Sequence, residues 1–186
     1  PLETEGGNGL LALRDDDPAD LPAFLRNKEE VVSFESCLSG RGLEYLYQFL
    51  ATHDAPMTAR QIAETAEDND KARTAIILFF NLLANFIANG ILSTGARQGV
   101  YISGGIAPKL KRFLPESQFL ERLADHGAYS DYVGAVPVYL IEQEQAEQGH
   151  HQRGPGVQRQ WQQRSTEDHH QQRQPCIRFQ GDACGG

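Results

Sequence analysis

The stretch Gly99 to Pro108, Gly-Val-Tyr-Ile-Ser-Gly-Gly-Ile-Ala-Pro, constrains the fold of this chain most strongly. A short apolar run, Val100–Ile102, ends at a glycine pair, Gly104 and Gly105. Pro108 then opens an amphipathic segment. This order predicts a buried strand, a tight turn and a helix with proline in its first turn. Two adjacent residues without Cβ let the backbone lie directly against a flat or charged ligand, and strand-turn-helix edges of this kind bind nucleotides in α/β sheets. A plain tight turn would need the same residues.

The rest of the chain fits an α/β protein. Leu10–Leu13 and Val31–Leu38 read as strands, and Val136–Ile141 as a third after Val100–Ile102. Leu43, Leu46, Tyr47 and Leu50 have helical spacing, and Thr58 suits the N-cap of a helix running to Ala66. Asp68 or Asp70 is expected to cap a long helix through Ile91. Its stretch Ala75–Ala88 is apolar nearly all round and predicts a central core helix. It is shorter than the ~20 residues that span a bilayer, and Asn81 and Asn85 interrupt it. Pro108–Leu114 and Glu116–Ala124 read as two further helices. The run Asp15-Asp16-Asp17-Pro18 reads as a solvated acidic turn.

A formal charge of −8 argues against a nucleic-acid or anionic-membrane partner. Three cysteines without a Cys-x-x-Cys pair suggest a reducing, cytoplasmic setting. After Glu144 the chain becomes rich in Gln, His and Arg, and no periodic apolar set continues. The organisation expected is therefore a folded domain over 1–144 and a disordered tail over 145–186. The pairs His150-His151 and His169-His170 lack a scaffold for a specific metal site, so none is assigned.

Three segments, in order, resemble the C-terminal half of bacterial glucokinases. They are Glu5-Gly6-Gly7-Asn8, then Ser33-Phe34-Glu35-Ser36-Cys37-Leu38-Ser39-Gly40-Arg41-Gly42-Leu43, then Val100-Tyr101-Ile102-Ser103-Gly104-Gly105-Ile106-Ala107-Pro108. The resemblance continues through Tyr132 and Pro137–Ile141. It implies the large domain, here incomplete, of the actin-like ATPase (ribonuclease H-like, hexokinase-type) fold. It also implies transfer of the γ-phosphoryl of ATP to glucose with Mg²⁺, in a homodimer. By this resemblance Glu5, Asn8 and Glu35 contact the sugar, and Gly104 and Gly105 lie on the nucleotide side. The family usually has histidine where Asn8 stands. Gly40 and Gly42 precede the helix expected near Leu43, either as an anion-attracting helix start or as a tight turn.

The resemblance also implies an Asn-Asp motif supplying the catalytic base and an Asp-x-Gly-Gly-Thr phosphate loop. Neither stands ahead of Glu5, so no catalytic residue is assigned and the sequence reads as a fragment. The alternative is a catalytically silent sugar- or nucleotide-binding module, or a pseudogene product.

Overall fold

The computed structural model describes residues 5–141 and the strand 176–179. Its centre is α4 (Asp70–Thr94), the long helix that the apolar run predicts. Ala75, Ile76, Phe80, Leu82, Ala84 and Ile91 are buried at or below 1% exposure, so this helix is packed on nearly every side. By length and composition it could cross a membrane, but 67% of its apolar window is buried inside the protein, which makes it a core helix. Its N-cap is Asn69 rather than either neighbouring aspartate. The Asn69 side chain accepts from the N–H groups of Lys71 at 3.0 Å and Ala72 at 3.1 Å. Gly95, at φ +69°, ends the helix and donates its N–H to the Ile91 carbonyl at 2.9 Å.

Two helices flank this axis. In α2 (Gly40–Leu50) the expected apolar face is present, with Leu43, Leu46 and Tyr47 buried. The helix starts three residues earlier than expected, so Gly40 and Gly42 lie inside its first turn. The cause is Ser39, whose hydroxyl accepts from the Gly42 N–H at 3.0 Å. In α6 (Phe119–Ala124), Phe119 and Leu123 turn inward, and the Phe119 ring meets Phe80 edge-on at 6.4 Å. Around them, α1 is Leu21–Arg26 and α3 is Ala59–Thr65. Thr58 caps α3 as expected, with Gln61 completing a capping box. Pro108 falls in the first turn of α5 (Ala107–Leu110). A 3-10 turn over Lys111–Glu116 then replaces the single helix expected to Leu114, and α7 is Ser130–Gly134.

The sheet has the order β1-β2-β3 among the described residues. Strand β1 (Val100–Ile102) is where the sequence places it but is half-buried rather than buried, with Tyr101 exposed; it runs parallel to β2 (Val138–Ile141), with Val100 opposite Val138. Val138 and Leu140 are buried. Tyr101 and Tyr139 stack on the other face at 5.0 Å. Strand β3 (Cys176–Phe179) pairs antiparallel with β2. It falls inside the segment expected to be disordered: the alternating Cys-Ile-Arg-Phe run has a β2 edge with unpaired backbone groups to join. The rest of the expected tail, including both histidine pairs, lies outside the described residues.

The strands expected over Leu10–Leu13 and Val31–Leu38 are absent. The two segments meet through one antiparallel bridge, Leu10 to Ser33. From Ser33 onward the chain turns instead, and the Cys37 N–H reaches the Phe34 carbonyl at 3.0 Å. Local serine chemistry competes with the ladder here, because the Ser36 hydroxyl takes the Ser33 N–H at 3.1 Å.

Candidate functional site

Glu5, Asn8 and Glu35 come together through these two turns. Residues Gly6–Asn8 form one turn of 3-10 helix, with the Asn8 N–H bonded to the Glu5 carbonyl at 2.9 Å. The Glu35 N–H bonds the Gly7 carbonyl at 2.8 Å, and the Phe34 N–H bonds the Gly9 carbonyl at 3.1 Å. A Cβ on Gly7 would sit 3.3 Å from Glu35 Oε2, so a glycine there leaves room for the carboxylate. Glu5, Asn8 and Glu35 are all exposed. Beneath them lies Phe86 of α4. Its ring is 5.1 Å from that of Phe34 and within van der Waals reach of Gly6. An aromatic floor thus supports a rim of two carboxylates and an amide. Each carboxylate can accept several hydroxyl hydrogen bonds, and the amide can both donate and accept.

Five residues beyond Glu35, the chain enters α2. Its first-turn residue Gly40 faces the other glycine group, since a Cβ there would lie 3.9 Å from Ile106 Cδ1. Ile106 directly follows Gly104 and Gly105. Gly104 has φ +115°, which strains any side chain, and a Cβ on either Gly104 or Gly105 would meet nothing within 4 Å. This turn therefore presents bare backbone to open space. The turn around Glu35 and the Gly104–Gly105 turn lie at opposite ends of the short segment from Glu35 to Gly40.

Of the two readings of Gly42, its local contacts favour the structural one. Its N–H is bonded to Ser39 and is not available to an anion. A Cβ there would lie 2.4 Å from the carbonyl carbon of Cys37 and 2.5 Å from its oxygen, so Gly42 packs the helix start onto the Glu35 turn. Thr94 bonds the Gly90 carbonyl of its own helix at 2.7 Å. His53 is exposed. His126 is half-buried, and its Nε2 is buried without a hydrogen-bond partner. Cys37 is fully buried, and its thiol is pushed up to about 12 by burial and by the charge of Asp17.

Sequence reasoning missed the acidic turn. Asp17 is buried at 6% exposure rather than solvated. It binds Arg122 of α6 at 2.8 Å and Asn85 of α4 at 3.0 Å. Its partners lie 105 and 68 positions away, so no local pattern announces them. The usable signal was Asn85 itself, a polar residue in an otherwise apolar helix that needs a buried partner. Among the described residues, no three His, Cys, Asp or Glu side chains converge on a metal position.

A family model described as Glucokinase matches residues 1–148. The glucokinase of Ralstonia nicotianae is 36% identical over 152 residues, covering 74% of this chain and 44% of the relative. That of Chromohalobacter salexigens is 36% identical over 146 residues, covering 76% and 46%. A solved glucokinase from an Antarctic psychrotroph superposes with a TM-score of 0.72 at 34% identity, covering 77% of this chain and 46% of that one. A glucokinase from Balamuthia mandrillaris in complex with glucose superposes at 0.65 with 20% identity, a likeness of fold alone. The chain thus spans less than half the length of these relatives, and the expected hexokinase-type, actin-like architecture is the one they share with it.

Proposed function

Because the chain belongs to the glucokinase family, we propose that residues 5–141 are the sugar-gripping and nucleotide-facing part of an enzyme that phosphorylates glucose. The observation that carries this reading is the meeting of two distant turns. Glu35 Oε2 lies against Gly7, between Glu5 and Asn8. In this reading Glu5 and Glu35 accept hydrogen bonds from sugar hydroxyls, and Asn8 both donates and accepts. Gly104 and Gly105 let the nucleotide approach bare backbone, with Gly40 on the facing helix turn. Orienting the sugar in this way fixes which hydroxyl faces the phosphoryl donor, and positioning is a large part of phosphoryl-transfer catalysis. ATP as donor, a cytoplasmic setting and a homodimer belong to the same reading and rest on family resemblance.

Calorimetric titration with glucose tests it. A hydrogen bond to a charged group contributes ~1.5–3 kcal/mol, so Glu35→Gln should weaken binding about tenfold or more. Equal affinity in the parent chain and the variant removes Glu35 from the site.

A further inference from the structure

Asp17 and Arg122 form a buried ionic cluster on the segment that leads away from the Glu5 turn. The Arg122 side chain is 4% exposed, and that of Asp17 is fully buried. Arg122 also reaches Asp16 at 2.7 Å and Gln118 at 3.1 Å. The second oxygen of Asp17 takes the Arg14 backbone N–H at 2.8 Å and the Asn85 amide at 3.0 Å. Arg14 in turn donates to the backbone carbonyl of Arg122 at 3.2 Å. The loop carrying Arg14–Asp17 is therefore fastened to α4 and α6 at several points.

Two features connect this fastening to the sugar-side turns. Asn85 directly precedes Phe86, the aromatic floor beneath Gly6 and Phe34. The segment that leads into this loop also meets the approach to Glu35, the Leu11 N–H reaching the Val32 carbonyl at 3.2 Å. The loop is itself the downstream end of the segment that begins at Glu5. A buried ion pair is weak evidence for net stability, because desolvation offsets much of its attraction, whereas it fixes geometry through directional bonds.

We propose that Asp17, Arg122 and Asn85 form a positioning cluster that holds the Glu5 and Glu35 turns in register with each other. It rests on the sugar-site reading above for its purpose, but not for its test. The double variant D17L/R122M replaces the pair with apolar side chains, a change that proteins often tolerate without loss of stability. Hydrogen exchange on the 186-residue chain should then show the Leu11, Phe34 and Glu35 amides, which bond across the two segments, exchanging at least tenfold faster. Amides in the middle of α4 should keep their protection, and the thermal midpoint should stay within a few degrees. Unchanged exchange at those three amides overturns the proposal. So does a uniform rise across the chain, which would mark a purely global role. If the double variant does not fold, Asn85→Ala, which removes the Asn85 bonds to Asp17 and Arg122 and leaves the ion pair in place, is judged by the same pattern. Glucose titrated into the same samples separates the two readings. Binding lost in Glu35→Gln but kept in a variant with faster turn exchange overturns the positioning role. Absence of glucose binding in the parent chain counts against the function, while the exchange pattern still decides the cluster.

Discussion

Gly42 and Gly90 both lie inside helices, and the same substitution should move stability in opposite directions. At Gly90 of α4, an added Cβ would meet nothing within 4 Å. Alanine there gains helix propensity without a clash, worth about 0.5–1 kcal/mol. At Gly42 the same methyl group would lie 2.4–2.7 Å from three backbone atoms of Cys37, against 3.4–4 Å for ordinary contact. Backbone cannot swing aside like a side-chain tip. The start of α2 and the Glu35 turn must therefore separate by about 1 Å, and overpacking of this kind costs roughly 1–3 kcal/mol or more. After the propensity gain, Gly42→Ala should be destabilising by about 2 kcal/mol. With a urea slope of about 2 kcal/mol/M, its midpoint should fall by about 1 M and that of Gly90→Ala should rise by about 0.3–0.5 M. Urea unfolding followed by circular dichroism reads both. If Gly42→Ala proves neutral or stabilising, the close approach of α2 to the Glu35 turn is wrong.

Two further outcomes are expected. Asn8→His should tighten glucose binding by about 1 kcal/mol, the scale of one net hydrogen bond, because the family presents an imidazole there; a parallel titration showing no gain rejects the carry-over at that position. The Cys37 thiol is raised from 9.0 to about 12 in the folded chain, so its contribution to stability is complete below pH 9 and is lost as the pH rises towards 12. The stability advantage of the parent over Cys37→Ala should shrink across that window and be flat from pH 6 to 8; a constant difference up to pH 12 would contradict the burial argument.

The parts of the fold that depend on periodicity were legible in the sequence. The spacing of Leu43, Leu46 and Tyr47 gave α2 its face, the apolar run through Ile91 gave α4 its central place, and Val100–Ile102 is the strand expected. What failed depends on polar groups choosing partners. Ser36 bonding the Ser33 backbone dissolved an expected strand, Ser39 drew the start of α2 back to Gly40, and Asn69 displaced two aspartates as a cap. Each alternative uses a side chain whose preference is decided over two or three residues by geometry that hydropathy does not encode. At the candidate site, the grouping of Glu5, Asn8 and Glu35 rested on resemblance, and the structure supplies the turns that bring them together. Asp17 was hidden because its partners on α4 and α6 are distant in the chain. The two readings of Gly42 could not be separated in the sequence for a related reason, since a close backbone approach across a turn leaves only a glycine as its trace.

The central claim, that the turns at Glu5–Asn8 and Phe34–Glu35 together hold a sugar, is tested most directly by following backbone amide resonances of the 186-residue chain during a glucose titration. The account predicts saturable shifts centred on Gly6–Gly9 and Phe34–Ser36, with little change at Gly104 and Gly105 until a nucleotide is added. Shifts that fall elsewhere, or their absence at millimolar glucose, would contradict it.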